Sequence, residues 1–473
     1  MPSKTNFYLT RPGISDGWWL CTLLPACYMA TVWRNYQHHH QPLHLPEGFK
    51  RTVIVTFGLL LHSLAICGLV RERFNRRQTV LLLFASGALC SLLFYVCLAE
   101  NAVFCVLSGL LPIVFYDRMY FTILRTVPKS FTYGEATIVA QGFVCFAYCT
   151  VLQLPRMMIH STEPQMSQMR IIYFILQVGL AGVGLLVATA YSIRFLRKSV
   201  SFWIALAVIT VAVALCPIGK QPAITRLIVF LASDIETMVT TGAYLALLVL
   251  TATFVMWQFS YGRRSTTATR KVFHLLIVMV YGPGLWCQCR LLYLASGLML
   301  AVLIVLEMAR LVQLWPVAPA LNAAVRLFID EKDSGALALT PLYLLIGCSL
   351  PLWLHPSPCD ITNSAGLQIL PLLSGVLSIG IGDTAASVAG YYLGKHKWSA
   401  RSNKSVEGTL ACVLLQSLTV CTLYRLGVIY LSVSRTAYAG IAIIVNALVE
   451  SRTDQIDNLV LPLVTYFILT CST

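Results

Sequence analysis

Apolar residues run through this chain in stretches of about 17 to 25, the length a helix needs to cross ~30 Å of hydrocarbon, with short polar segments between them. A bilayer offers no partner for backbone N–H and C=O groups, so such stretches must close their hydrogen bonds internally, as helices. The pattern predicts spans at 17-33, 52-70, 78-98, 101-116, 136-154, 171-191, 200-216, 227-257, 272-289, 291-308, 336-354, 367-394, 409-430, 436-450 and 459-471, about fifteen crossings. Two are irregular: 227-257 is interrupted by Asp234 and Glu236 and has room for two half-helices, and 459-471 is short for a crossing. The expected fold is all-α, a polytopic transmembrane helical bundle.

Composition agrees. Hydrophobic residues make up 58% of the 473 and charged residues 11%, against about 45–50% and 25% in soluble domains, which excludes a water-soluble, fibrous or disordered chain. The net charge of +15 would suggest nucleic-acid binding in a soluble protein. Here the basic residues sit in short clusters between apolar runs, as the positive-inside rule requires, and no nucleic-acid partner is expected. Placing Arg71, Arg73, Arg76 and Arg77 in the cytoplasm puts most of the 34 Lys and Arg on that side, together with the N-terminus. Met1 to Asp16 is polar and the first apolar run lacks a clear small-residue cleavage site, so helix one is expected to remain as an anchor. The 16 Cys lie mostly within apolar segments without CxxC spacing, Cys287 and Cys289 being the closest pair; neither a disulfide framework nor a zinc site is expected. His38, His39 and His40 read as a solvated loop.

Up to about residue 257 the loops carry charge with little pattern, so residues 1-257 read as an N-terminal membrane region of unknown role. After Arg270, acidic, basic and glycine residues gather at helix ends, and residues 258-473 read as the catalytic region. A carboxylate within an apolar run is costly unless it meets a cation or lines a cavity, which singles out Asp383 in Gly380-Ile381-Gly382-Asp383-Thr384-Ala385-Ala386-Ser387. Gly380 and Gly382 suit either close approach to a ligand or a small-residue face for helix packing. The next loop carries Lys395, Lys397, Arg401, Lys404, Ser405, Glu407, Gly408 and Thr409. Cations beside hydroxyls at a helix start suit a polyphosphate, with Lys404 as a point charge. The spacing is not that of a Walker A loop, and positive-inside charge alone accounts for the cations about as well. Two acidic groups fall on the same expected face: Asp330-Glu331-Lys332-Asp333-Ser334-Gly335, and Glu450, Asp454, Gln455, Asp457 and Asn458. Each alone reads as a solvated loop; meeting Asp383, they suit Mg²⁺ on nucleotide phosphates. Arg270, Lys271 and His274 begin the ninth helix at that boundary, His274 as a phosphate or structural contact.

In order along the chain, Arg270-Lys271-Val272-Phe273-His274, Asp330-Glu331-Lys332-Asp333-Ser334-Gly335, Gly382-Asp383-Thr384-Ala385-Ala386-Ser387, Lys404-Ser405-Val406-Glu407-Gly408-Thr409 and Thr453-Asp454-Gln455-Ile456-Asp457-Asn458 resemble dolichol kinases, of the polyprenol kinase family. The resemblance implies CTP-dependent phosphorylation of dolichol to dolichyl phosphate, the lipid carrier for glycosylation, in the endoplasmic reticulum membrane with the active site facing the cytoplasm. It assigns Lys395 through Thr409 to CTP. On that basis Asp383, Asp330, Asp333, Asp454 and Asp457 are candidate catalytic carboxylates, Asp383 and Asp457 also candidate Mg²⁺ ligands. Arg270, Lys271, Gly382, Lys395, Lys397, Lys404, Ser405, Glu407, Gly408 and Thr409 are candidate nucleotide contacts. Which carboxylate accepts the hydroxyl proton stays open. Dolichol and membrane lipid are the expected partners, and no protein partner is implied. Alternative readings are a CTP-dependent kinase for phytol or diacylglycerol, a phosphatidate cytidylyltransferase, or a transporter. Against the last stand the lack of an inverted repeat and polar groups gathered at one membrane face instead of the midplane.

Overall fold

The computed structural model describes residues 10–39, 45–159, 168–261, 267–328, 335–359, 369–399 and 404–472. A 3₁₀ turn at Trp18–Thr22 leads into α1 (Leu23–His39), α2 (Glu47–Val70), α3 (Arg76–Leu98), α4 (Ala102–Thr126), α5 (Tyr133–Ile159), α6 (Gln168–Ser192), α7 (Ser199–Leu215), α8 (Ala223–Leu231) and α9 (Ile235–Tyr261). The second half holds α10 (Thr267–Cys287), α11 (Cys289–Leu311), α12 (Val317–Phe328), α13 (Thr340–Leu354), α14 (Val376–Asp383, wound as a π-helix), α15 (Thr384–Leu393), α16 (Val406–Arg425), α17 (Val433–Arg452) and α18 (Asp457–Thr470). Helix starts follow local chemistry. Asn75 and Gln78 form a reciprocal capping box on α3, and Asn101, Ser405 and Ser432 cap α4, α16 and α17 by accepting from backbone N–H groups.

Among the described residues nine helices have the length and apolar composition to cross a membrane, and α7, α12, α13 and α18 are shorter apolar helices. The protein is therefore an all-α, multi-pass helical bundle. The irregular span 227-257 breaks at 232–234 into the nine-residue α8 and the 27-residue α9. The acid that interrupts its pattern acts as a helix start, since Asp234 Oδ1 accepts from Thr237 N at 2.7 Å. α12 has no counterpart among the expected spans. It is a short amphipathic helix, and twelve residues rise only about 18 Å.

One expectation about the cysteines is corrected. Cys289 and Cys359, 70 residues apart, form a disulfide; local spacing does not reveal a pairing made by tertiary folding. His40 and the side chains of His38 and His39 lie outside the described residues.

The largest buried cluster joins Leu59, Phe94, Tyr116 and Tyr120 of the first helices to Tyr343 of α13 and Leu463 and Tyr466 of α18. A second joins α10, α11, α13, α14, α16 and α17 through residues such as Tyr281, Cys348, Leu377 and Ile443, and reaches α18 at Leu469. α13 and α18 thus belong to both, so the two halves of the chain interleave. α18 can be short because it is walled in by protein over most of its length.

Candidate active site

α14 is the element around which the polar groups collect. Its π winding, a form concentrated at functional sites, ends by delivering Asp383, 5% exposed, to the start of α10. Lys271 Nζ donates to Asp383 Oδ2 at 2.6 Å, and His274 Nε2 lies 3.2 Å from the same oxygen. Ser387 Oγ, one turn on in α15, donates to Oδ1 at 3.4 Å. The glycines before Asp383 let α14 lie close to its neighbours. A Cβ on Gly380 would stand 2.6 Å from Val278 Cγ2 of α10, and one on Gly382 2.5 Å from Gln416 Nε2 of α16. Of the two uses open to these glycines, the structure realises helix packing; the space beside Gly382, expected at the nucleotide, is filled by Gln416.

Lys404 stands close to this group. It pairs with Glu450, a buried carboxylate at the end of α17, and its Nζ lies 3.8 Å from Asp457 Oδ2 at the first residue of α18. Burial works to lower the pKa of Lys404, but Asp457, Glu450 and Asp383 outweigh it and hold the ammonium above the usual lysine range. Lys271, Asp383, Lys404, Glu450 and Asp457 therefore form one electrostatic cluster of two cations and three carboxylates, drawn from five segments.

The segment before α16 is folded back on itself. Lys397 and Ser405 form an antiparallel bridge, Trp398 N donates to Lys404 O at 3.2 Å, and Val406 N donates to His396 O at 2.8 Å. Ser405 Oγ accepts from Gly408 N at 3.1 Å as the helix cap. Glu407 meets His396 Nδ1 at 2.6 Å, and Thr409 Oγ1 accepts from Trp398 Nε1 at 2.9 Å. The Arg452 guanidinium lies over the Trp398 ring, 5.7 Å from its centroid. A Cβ on Gly408 would lie 2.7 Å from Ala386 O, so this glycine fits α16 against α15. Ser405, Glu407, Gly408 and Thr409 thus build the turn that carries Lys404.

Lys395 and Lys397 are exposed on that turn, and Arg270 precedes Lys271 on α10. Asp454 does not join the cluster: its carboxylate accepts from Ser15 N at 2.7 Å and Ser15 Oγ at 2.8 Å. Partial burial works to raise its pKa, but the bonds from Ser15 and Gln455 hold it below the usual aspartate range. Asp330, Asp333 and Arg401 lie outside the described residues. Past the first of these, Leu337 N donates to Ser130 Oγ at 3.4 Å. Sequence reasoning missed Trp398, His396 and Gln416, and grouped Glu450 with the acidic residues without giving it a role. Only Glu450 carried a signal, being a carboxylate at the end of an apolar run.

Among the described residues no group of three His, Cys, Asp or Glu side chains is arranged to hold a metal by itself. The hard oxygens of Asp383 and Asp457 suit Mg²⁺, which is commonly bound by one or two carboxylates together with substrate phosphates.

Fold and site define a class: a multi-pass membrane protein whose charged residues converge at one end of its helices. The family model for dolichol kinase matches residues 52–344. Over 377 residues the chain is 34% identical to a dolichol kinase of Bos taurus, covering 76% of this chain and 68% of that protein. Its identity to a dolichol kinase of Homo sapiens is 33%, with the same coverage. It is 35% identical over 205 residues to dolichol kinase EVAN of Arabidopsis thaliana, covering 42% of this chain and 34% of that one. No solved structure matches the chain. The chain belongs to the dolichol kinase family.

Proposed function

We propose that this enzyme transfers a phosphoryl group from CTP to the hydroxyl of dolichol, giving dolichyl phosphate for glycosylation, in the endoplasmic reticulum membrane with its site open to the cytosol. The carrying observation is the convergence of Lys271, Asp383, Lys404, Glu450 and Asp457 at one end of the bundle, in a family whose relatives are dolichol kinases. A lipid alcohol keeps its tail in hydrocarbon and its hydroxyl at the interface, which is where a water-soluble donor can reach it.

Both lysines are matched by carboxylates. Nucleotide phosphates compete for those ammonium groups, so Lys271 and Lys404 turn from carboxylate to phosphate and stabilise the charge of the transferring group. Glu450 sets the position from which Lys404 turns. Asp383 and Asp457 are the residues that would hold Mg²⁺, whose chemistry is to neutralise charge on the phosphate oxygens. One of these two carboxylates accepts the hydroxyl proton as the alcohol oxygen bonds the γ-phosphorus, the bond to the β-phosphate oxygen breaks and CDP leaves.

The disulfide supports the cytosolic orientation. Lys271 stands near the start of α10, while Cys287 ends it and Cys289 follows; sixteen residues at 1.5 Å each separate the two ends by about 24 Å. Disulfides persist in oxidising compartments, so the opposite end of α10, with Asp383 and Lys404, belongs on the reducing side.

The test supplies the purified, bilayer-embedded protein with γ-labelled CTP, ATP, GTP or UTP and with dolichol, phytol or diacylglycerol. Label should pass to dolichol, at least tenfold faster from CTP than from the other donors. Equal use of ATP would remove the CTP assignment, and equal labelling of the three lipids would remove dolichol.

A further inference from the structure

Residues 453–456 join α17, which carries Glu450, to α18, which starts at Asp457, and the segment is fastened to the first half of the chain. Asp454 accepts from Ser15 N and Oγ. Gln455 Oε1 accepts from Thr132 Oγ1 at 2.7 Å, and its Nε2 donates to Ser15 O at 2.9 Å. Ile456 N donates to Glu135 Oε1 at 3.0 Å. Glu135 in turn forms an ion pair with Arg11, both side chains being almost wholly buried, and its Oε2 accepts from Thr132 N at 3.0 Å. The approach is tight, since a Cβ on Gly17 would collide with the Gln455 amide.

Ile456 sits at the cap position of α18 and has no side-chain oxygen to cap with. Glu135 of α5, more than 300 residues earlier, instead accepts from the N–H of the cap residue itself, the bond a capping-box glutamate makes, and places a negative charge at the N-terminus of α18, where the helix dipole favours it. A buried carboxylate is costly unless every oxygen is engaged, and Arg11, Thr132 and Ile456 engage this one. The residue after Ile456 is Asp457.

We propose that Glu135, seated by Arg11, is a positioning residue for phosphoryl transfer: it fixes the start of α18 so that Asp457 faces Lys404. The N-terminal half then has a direct part in the chemistry, by holding a reacting-site carboxylate in register. This rests on the kinase reading of the Lys404 cluster.

The experiment is a double-mutant cycle on the full-length, bilayer-embedded enzyme, measuring kcat and KM for CTP and dolichol in wild type, Glu135→Gln, Asp457→Asn and the double variant, with protein amount and unfolding midpoint recorded. In an otherwise native chain Glu135→Gln should lower kcat about tenfold or more with KM within twofold. In the Asp457→Asn background the same change should alter the residual rate less than twofold, because nothing remains to be positioned. Should Glu135→Gln not accumulate, Thr132→Val loosens the same segment through Gln455 and should show a smaller kcat loss that also vanishes with Asp457→Asn. The same fold loss in both backgrounds, or a change confined to KM, overturns the positioning role and leaves the kinase reading standing. Full activity of Asp457→Asn alone overturns the placement of Asp457 in the site, and this proposal with it.

Discussion

Lys404 is held by carboxylates from two helices and feels the charge of a third from α14, whereas Lys395 and Lys397 on the same turn are exposed. That difference should separate their roles. Lys404→Met, similar in length but uncharged, should lower the rate at saturating nucleotide about 100-fold, the usual cost of removing one preorganised charge. Lys395→Met and Lys397→Met should raise the KM for nucleotide a few-fold with kcat unchanged; equal kcat losses for all three would show that Lys404 has no special place. Asp383 and Lys404 are legible in the sequence because an ion inside or beside an apolar run is rare and needs a partner. Asp454 looks equivalent to Asp457 in sequence; the hydrogen bonds from Ser15 to the first and the approach of Lys404 to the second separate them. His396 and Trp398 gave no signal, because their partners lie eleven residues away and are met only when the turn closes.

α14, α15 and α16 are kept close by small residues, and their spacing decides whether Asp383 and Lys404 share a site. Gly408→Ala places a Cβ 2.7 Å from the Ala386 carbonyl oxygen, which belongs to backbone and cannot swing aside. The variant should lose about 1–3 kcal/mol of stability and most of its activity, read from the unfolding midpoint and the transfer rate. Gly440→Ala in α17, with nothing within 4 Å of the added carbon, should leave both nearly unchanged; similar effects of the two changes would contradict the packing account. At this scale periodicity located most of the helices, because crossing a bilayer demands long apolar runs. It missed α12, too short to span; it marked the interruption of the 227-257 run at Asp234, but not that Asp234 caps α9. The π winding of α14 was not legible at all, since its apolar residues read the same in an α-helix.

The two halves of the chain meet through side chains hundreds of residues apart, as in Thr132 with Gln455 and Glu135 with Ile456. A division near residue 257 follows from where patterned polar residues begin, but periodicity carries no record of such long-range pairs. The disulfide between Cys289 and Cys359, 70 residues apart within the second half, is a further pairing that periodicity does not record, and it predicts the orientation of the whole molecule. In sealed endoplasmic reticulum vesicles a membrane-impermeant maleimide should label a Lys395→Cys variant directly, while Cys289 and Cys359 should react only after permeabilisation and reduction. The reverse pattern would place the site in the lumen. The central claim is that the polar segments assemble into one phosphoryl-transfer site around Asp383 and Lys404. Its most direct test is the initial rate of phosphate transfer from labelled CTP to dolichol by wild type and Asp383→Asn at matched protein amount and unfolding midpoint. The account predicts a fall of at least about 100-fold; a variant retaining half the wild-type rate would contradict it.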